Sequence, residues 1–153
     1  MNGILNSKTK YDFIITIDGD GEISPKIFDF ALSCEHHNKF FIGNRKTKNR
    51  SIESFLSYFS RYFFKIDDVF CGAYIIPVAL FERLDNYSIK VDNALIGLKL
   101  LINSVADETI NIPFEPKKRV GVSRFGTGFN TCFKLIVAFI RGILSVSNSK
   151  KNS

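Results

Sequence analysis

Apolar residues fall into short blocks along this chain, and the spacing inside each block predicts an element. Phe13-Ile14-Ile15-Thr16-Ile17 is a run of apolar or β-branched residues, which predicts a strand buried on both faces as in a parallel sheet. Ser24-Pro25 has the form of a helix start, Ser as cap and Pro at the first helical position. A covering helix over 25–35 then follows through Ile27, Phe28, Phe30, Ala31 and Leu32. Phe40-Phe41-Ile42 predicts a second short buried strand that ends in Gly43-Asn44-Arg45. Residues 51–65 form an amphipathic pattern built on Ile52, Phe55, Leu56, Phe59 and Phe63, with Ser51 as its cap.

The loop 67–72 leads to a third strand at Ala73–Ile76, and Pro77 opens a short helix through Leu84. Residues 91–104 carry Val91, Leu95, Leu98, Leu101 and Ile102 on a shared helical side. Thr109–Pro113 predicts an edge strand, because Pro113 cannot donate to a central ladder. After a basic, Gly-containing loop at 116–128, Phe129–Val146 has an apolar body interrupted by Lys134 and Arg141. It is too short and too charged for a membrane span, and predicts an interfacial or partner-packing helix. The polar tail 147–153 is expected to be disordered, beginning as early as Ser145.

With 153 residues the chain suits one domain, and 45% hydrophobic against 24% charged residues places it among folded globular proteins. Phe is abundant at 16 residues, which fits a bulky aromatic core or an apolar docking face. Cys34, Cys71 and Cys132 are scattered, with no zinc or disulfide spacing, and suit a reducing cytoplasm. Residues 1–10 lack the apolar stretch of a signal peptide. The net charge of +6 favours anionic partners, whether nucleic acid, phosphorylated small molecules or an anionic membrane face. Nucleic acid is the least supported of these, since no binding module or aromatic platform accompanies the basic groups.

Asp18-Gly19-Asp20-Gly21-Glu22 follows the first strand directly, where ligands bind in open α/β sheets. In an extended segment Asp18, Asp20 and Glu22 share one side, and three carboxylates in one place call for a hard cation such as Mg²⁺ or Mn²⁺. The same residues also suit a plain polar turn.

Four motifs in order extend that reading. Ile15 to Glu22, Phe41-Ile42-Gly43-Asn44-Arg45, Asp68-x-x-Cys71-Gly72, and Ile112-Pro113 followed by Lys118-x-x-Gly121-x-Ser123-Arg124 together resemble the C-terminal half of family 2 glycosyltransferases. The similarity is to members with the GT-A fold, above all the dolichyl-phosphate mannose synthase and polyprenyl-phosphate glycosyltransferase branch. It implies an α/β fold: part of a Rossmann-like mixed sheet over 1–128, flanked by helices, with the amphipathic helix 129–146 beyond it. It also implies a metal-dependent, inverting transfer of sugar from a nucleotide-sugar donor to a polyprenyl phosphate or glycan.

By position, Asp18 and Asp20 would hold the metal and the pyrophosphate, making Asp20 a catalytic group, and Glu22 would be a further metal ligand. Arg45, Arg61, Lys118 and Arg124 would contact substrate phosphate. A sugar hydroxyl as acceptor needs a general base, for which Asp68 and Asp92 are the candidates, whereas a polyprenyl phosphate is already anionic. Three departures stand out: Ala73-Tyr74 in place of Phe-Arg, Lys118 in place of Arg, and a displaced Arg119. Family members also place two strand–helix units before the Asp-x-Asp strand, which predicts a truncated or split enzyme with a missing N-terminal partner or a homo-oligomeric arrangement. The alternative is a non-catalytic relative that docks to membrane or a partner subunit, peripheral on the cytoplasmic face.

Overall fold

The computed structural model describes residues 12–29, 33, 38–48, 50–86, 94–118 and 129–151. Four strands, β1 (Phe13–Thr16), β2 (Lys39–Arg45), β3 (Tyr74–Pro77) and β4 (Glu108–Phe114), form one sheet in the order β1-β3-β2-β4. β3 runs antiparallel to both β1 and β2, while β4 pairs with β2 in parallel over seven residues, from Lys39↔Glu108 to Arg45↔Phe114. The sheet is therefore mixed, and helices flank it: α1 (Ser51–Phe64), α2 (Val78–Glu82), α3 (Ala94–Val105) and α4 (Phe129–Lys151).

Alternation along the strands divides the core in two. Phe40, Ile42, Tyr74 and Ile76 meet Leu56 of α1, Leu98, Leu101 and Ile102 of α3, and Leu135 and Phe139 of α4. Phe41, Ala73, Ile75 and Phe114 meet Ile23 and Phe28 on the opposite face. α3 and α4 approach closely at Gly142, where an added Cβ would lie 2.7 Å from Ile96 Cγ2. β4 takes the outer position that Pro113 requires, and Pro77 leads into α2 as its spacing predicts.

Several expectations are corrected. β1 is not a doubly buried parallel strand. Among the described strands it is an outer one, paired antiparallel with β3 alone, and Ile15 is 44% exposed. The start predicted at Ser24-Pro25 produces a 3-10 turn, Pro25–Phe28, in which Ser24 makes no side-chain cap bond. Residues 30–32, 34 and 35 of the predicted covering helix lie outside the described residues. Arg50, not Ser51, is the cap of α1. Part of the tail expected to be disordered is helical, since α4 runs to Lys151.

The largest correction concerns α1. Its inward face is Glu53, Leu56, Ser57 and Ser60, while Phe55, Tyr58, Phe59, Tyr62 and Phe63 are exposed. Of the apolar pattern on which the helix was read, Ile52 and Leu56 face the core and Phe55, Phe59 and Phe63 face outside.

Candidate functional site

Because β1, β2 and β4 run the same way, their carboxyl ends lie along a single edge of the sheet, beside the amino end of β3. Four stretches of chain distant in sequence gather there: 17–24, 46–50, 66–73 and 115–118. Backbone bonds tie them together, from Lys117 N–H to Glu22 O at 2.9 Å, from Lys46 N–H to Phe114 O at 3.0 Å and from Gly43 N–H to Ala73 O at 2.8 Å. Asn111 of β4 holds the loop after α1. Its Oδ1 accepts from Asp67 N–H at 2.8 Å, and its Nδ2 donates at 2.9 Å to the carbonyl of Lys65, the left-handed residue that ends the helix.

Two of the motif segments meet at this edge. The Asp18 carboxylate lies against Gly72, so closely that a Cβ on Gly72 would overlap both of its oxygens. Glycine leaves room here for the Asp18 carboxylate as placed. The neighbour, however, is the end of an exposed side chain that can move. Past Ile17 the chain turns, with Gly21 at φ 76°, and Asp20 Oδ1 accepts from Glu22 N–H at 3.1 Å. The alternation of an extended segment therefore does not carry through Asp18, Asp20 and Glu22. Asp18 is exposed, Asp20 half-buried and Glu22 buried. Among the described residues no three His, Cys, Asp or Glu side chains come together as a metal-holding group.

Beneath the 67–72 loop is a buried ionic cluster. Asp68, fully buried, accepts from Arg45 Nε at 2.8 Å and from Arg45 Nη2 at 3.2 Å. Arg45 Nη2 also donates to Glu53 Oε2 at 3.1 Å, and Glu53 Oε1 takes Arg50 Nη1 at 2.5 Å. Burial works against the Arg45 charge, but the hydrogen bond and charge of Asp68, with Glu53, outweigh it and raise the guanidinium further. Arg45 and Asp68, expected to face substrate phosphate and an acceptor hydroxyl, are instead directed at each other. Their pairing fixes the end of β2 to the loop before β3.

Lys99 was not predicted at all. From α3, wholly buried, its Nζ donates to the carbonyls of Val69, at 2.9 Å, and Cys71, and lies 5.3 Å from the centre of the Tyr74 ring. Burial lowers its pKa to about 8, against the opposing influence of Cys71, Asp68 and Asp18. The nearby Cys71 thiol is pushed up to about 11 by burial and by Asp68, which keeps it protonated and unreactive. Lys99 thus supports from below the loop on which Asp18 rests. Its signal in the sequence was a lysine three residues from Ile96 and three from Ile102, on the apolar side of a helix.

The remaining predicted residues are placed as follows. Lys118 is exposed at the same edge, directly after Lys117. Arg61 is on α1, 75% exposed, with Nε 3.4 Å from Asp67 Oδ1. Arg124, Arg119 and Asp92 lie outside the described residues.

Compared with known proteins, the chain matches no family model, no curated protein and no solved structure.

Proposed function

We propose that the edge formed by Asp18, Asp20, Gly72 and Lys118 is the substrate site of a metal-dependent, inverting glycosyltransferase. It would use a nucleotide-sugar donor and a polyprenyl-phosphate or glycan acceptor, within the GT-A fold that the motifs resemble. The observation that carries this reading is the seating of the Asp18 carboxylate on Gly72. It unites the acidic turn after β1 with the Asp-x-x-Cys-Gly loop some fifty residues on.

The donor set fits Mg²⁺ or Mn²⁺. Asp18 and Asp20 offer hard oxygen ligands at an open edge, and such ions are commonly held by one or two carboxylates and completed by substrate phosphates. Glu22, being buried, is assigned to the turn and not to the ion. A divalent cation bound there supplies positive charge against the departing pyrophosphate.

The chain's own residues do the rest. Asp18 and Asp20 orient the donor, Lys118 meets phosphate from the loop after β4, and Lys99 with the Arg45–Asp68 pair keeps the loop under Asp18 in place. With Asp68 committed to Arg45, the arrangement favours an acceptor that is already an anion, a polyprenyl phosphate, which needs no base. The test is sugar transfer from UDP- or GDP-sugars to a polyprenyl phosphate in the presence of Mn²⁺. Asp18→Ala and Asp20→Ala should each abolish transfer without altering the circular dichroism spectrum. Transfer that survives both substitutions contradicts the assignment.

A further inference from the structure

α1 turns its aromatic side chains away from the core. Phe55, Tyr58, Phe59, Tyr62 and Phe63 recur at the spacing of one helical face, and are 58, 67, 39, 73 and 64% exposed. The inner face, by contrast, offers Glu53, Ser57 and Ser60 beside Leu56, and among the described residues the two serine hydroxyls have no hydrogen-bond partner. The exposed rings already pack on one another, Phe55 with Phe59 at 5.1 Å and Tyr62 with Phe63 at 4.9 Å between centres, both edge to face, and Phe59 stacks on Phe63 at 6.3 Å. An ordered apolar patch of this kind marks a docking surface.

The charges around it define what docks. On α1 the one acid, Glu53, is buried in the ionic cluster, whereas Arg61, beside Tyr58 and Tyr62, is exposed, its Nε only loosely paired at 3.4 Å with Asp67 Oδ1. α4, which packs against α1, contains no acidic residue at all and exposes Lys134 and Arg141 together with Phe133, Ile140 and Leu144. A second copy of the chain would bring one basic surface against another. No described helix is long and apolar enough to cross a membrane. Phe and Tyr rings with basic flanks suit the headgroup level of a bilayer, and the positive charge selects anionic lipid.

We propose that the aromatic face of α1 seats on an anionic membrane surface, with Arg61 meeting lipid headgroups. This site is separate from the Asp18 edge and does not depend on the sugar-transfer reading. The chain contains no Trp, so Phe63→Trp provides a single fluorescent reporter. Mixed with vesicles of phosphatidylcholine and phosphatidylserine, its emission should shift to the blue, and with phosphatidylcholine alone it should not. In co-sedimentation, Arg61→Ala should weaken partitioning about fivefold. The double substitution Tyr62→Ser/Phe63→Ser should weaken it about tenfold or more, while Asp18→Ala leaves it unchanged. Emission that does not move, or partitioning insensitive to the double substitution, overturns the proposal. So does a dimer in sedimentation equilibrium that this double substitution dissolves, since it would place a second copy on the stripe.

Discussion

A lysine buried against two carbonyl oxygens leaves a mark on the pH dependence of folding. Lys99 has a folded pKa of about 8 against an ordinary 10.5, so the cost of holding its ammonium inside is fully present below pH 8 and disappears as pH rises. Cys71 acts oppositely: its thiol moves from 9.0 to about 11, so above pH 9 the unfolded chain loses that proton first and stability falls. Between pH 8 and 9 the lysine outweighs the thiol, and stability should rise by about 0.5–1 kcal/mol. Urea unfolding across that interval should show the rise in the native chain and its loss in Lys99→Met. Breaking the buried pair has a larger effect, and Asp68→Ala should destabilise by about 3–5 kcal/mol in the same assay. Residue roles were the least legible part of the sequence. Arg45 and Asp68 were recognised as notable, but their mutual pairing depends on a contact across 23 positions that no local pattern encodes.

At the scale of elements, position was more legible than orientation. The spacing located α1, α3, α4, β2 and β3 to within a few residues, because apolar recurrence reports where a regular segment lies. It does not report which side is inward when both sides of a helix carry usable groups. In α1 the acid Glu53 is drawn inward by Arg45 and Arg50, and five rings are left outside. A pair of substitutions separates the two faces. Leu56→Ala, inside, should cost about 2–5 kcal/mol, while Phe63→Ala, outside, should change stability by no more than about 0.5 kcal/mol. Equal losses in thermal or urea unfolding would mean that the stripe is packed. α3 and α4 offer a similar check, since Gly142→Ala forces a methyl against Ile96 and should destabilise by about 1–3 kcal/mol.

Across the whole molecule, the α/β class and the mixed, helix-flanked sheet match what the family resemblance implied, whereas the runs themselves suggested a parallel first strand; Pro113 correctly marked β4 as an outer strand. β1 was misplaced because a short apolar run looks the same at the centre of a sheet and at its margin. What the order of runs could not supply is the joining of the acidic turn to the 67–72 loop through Asp18 and Gly72, a product of β1 and β3 lying side by side. That junction is the centre of the functional proposal, and paramagnetic broadening tests it directly. Mn²⁺ added with UDP or GDP to the isotopically labelled chain should broaden the amide resonances of Gly19, Asp20 and Gly72 together, and Asp18→Ala should remove the effect. Broadening that spares these three amides, or that persists without the Asp18 carboxylate, would contradict a shared metal–phosphate site at this edge.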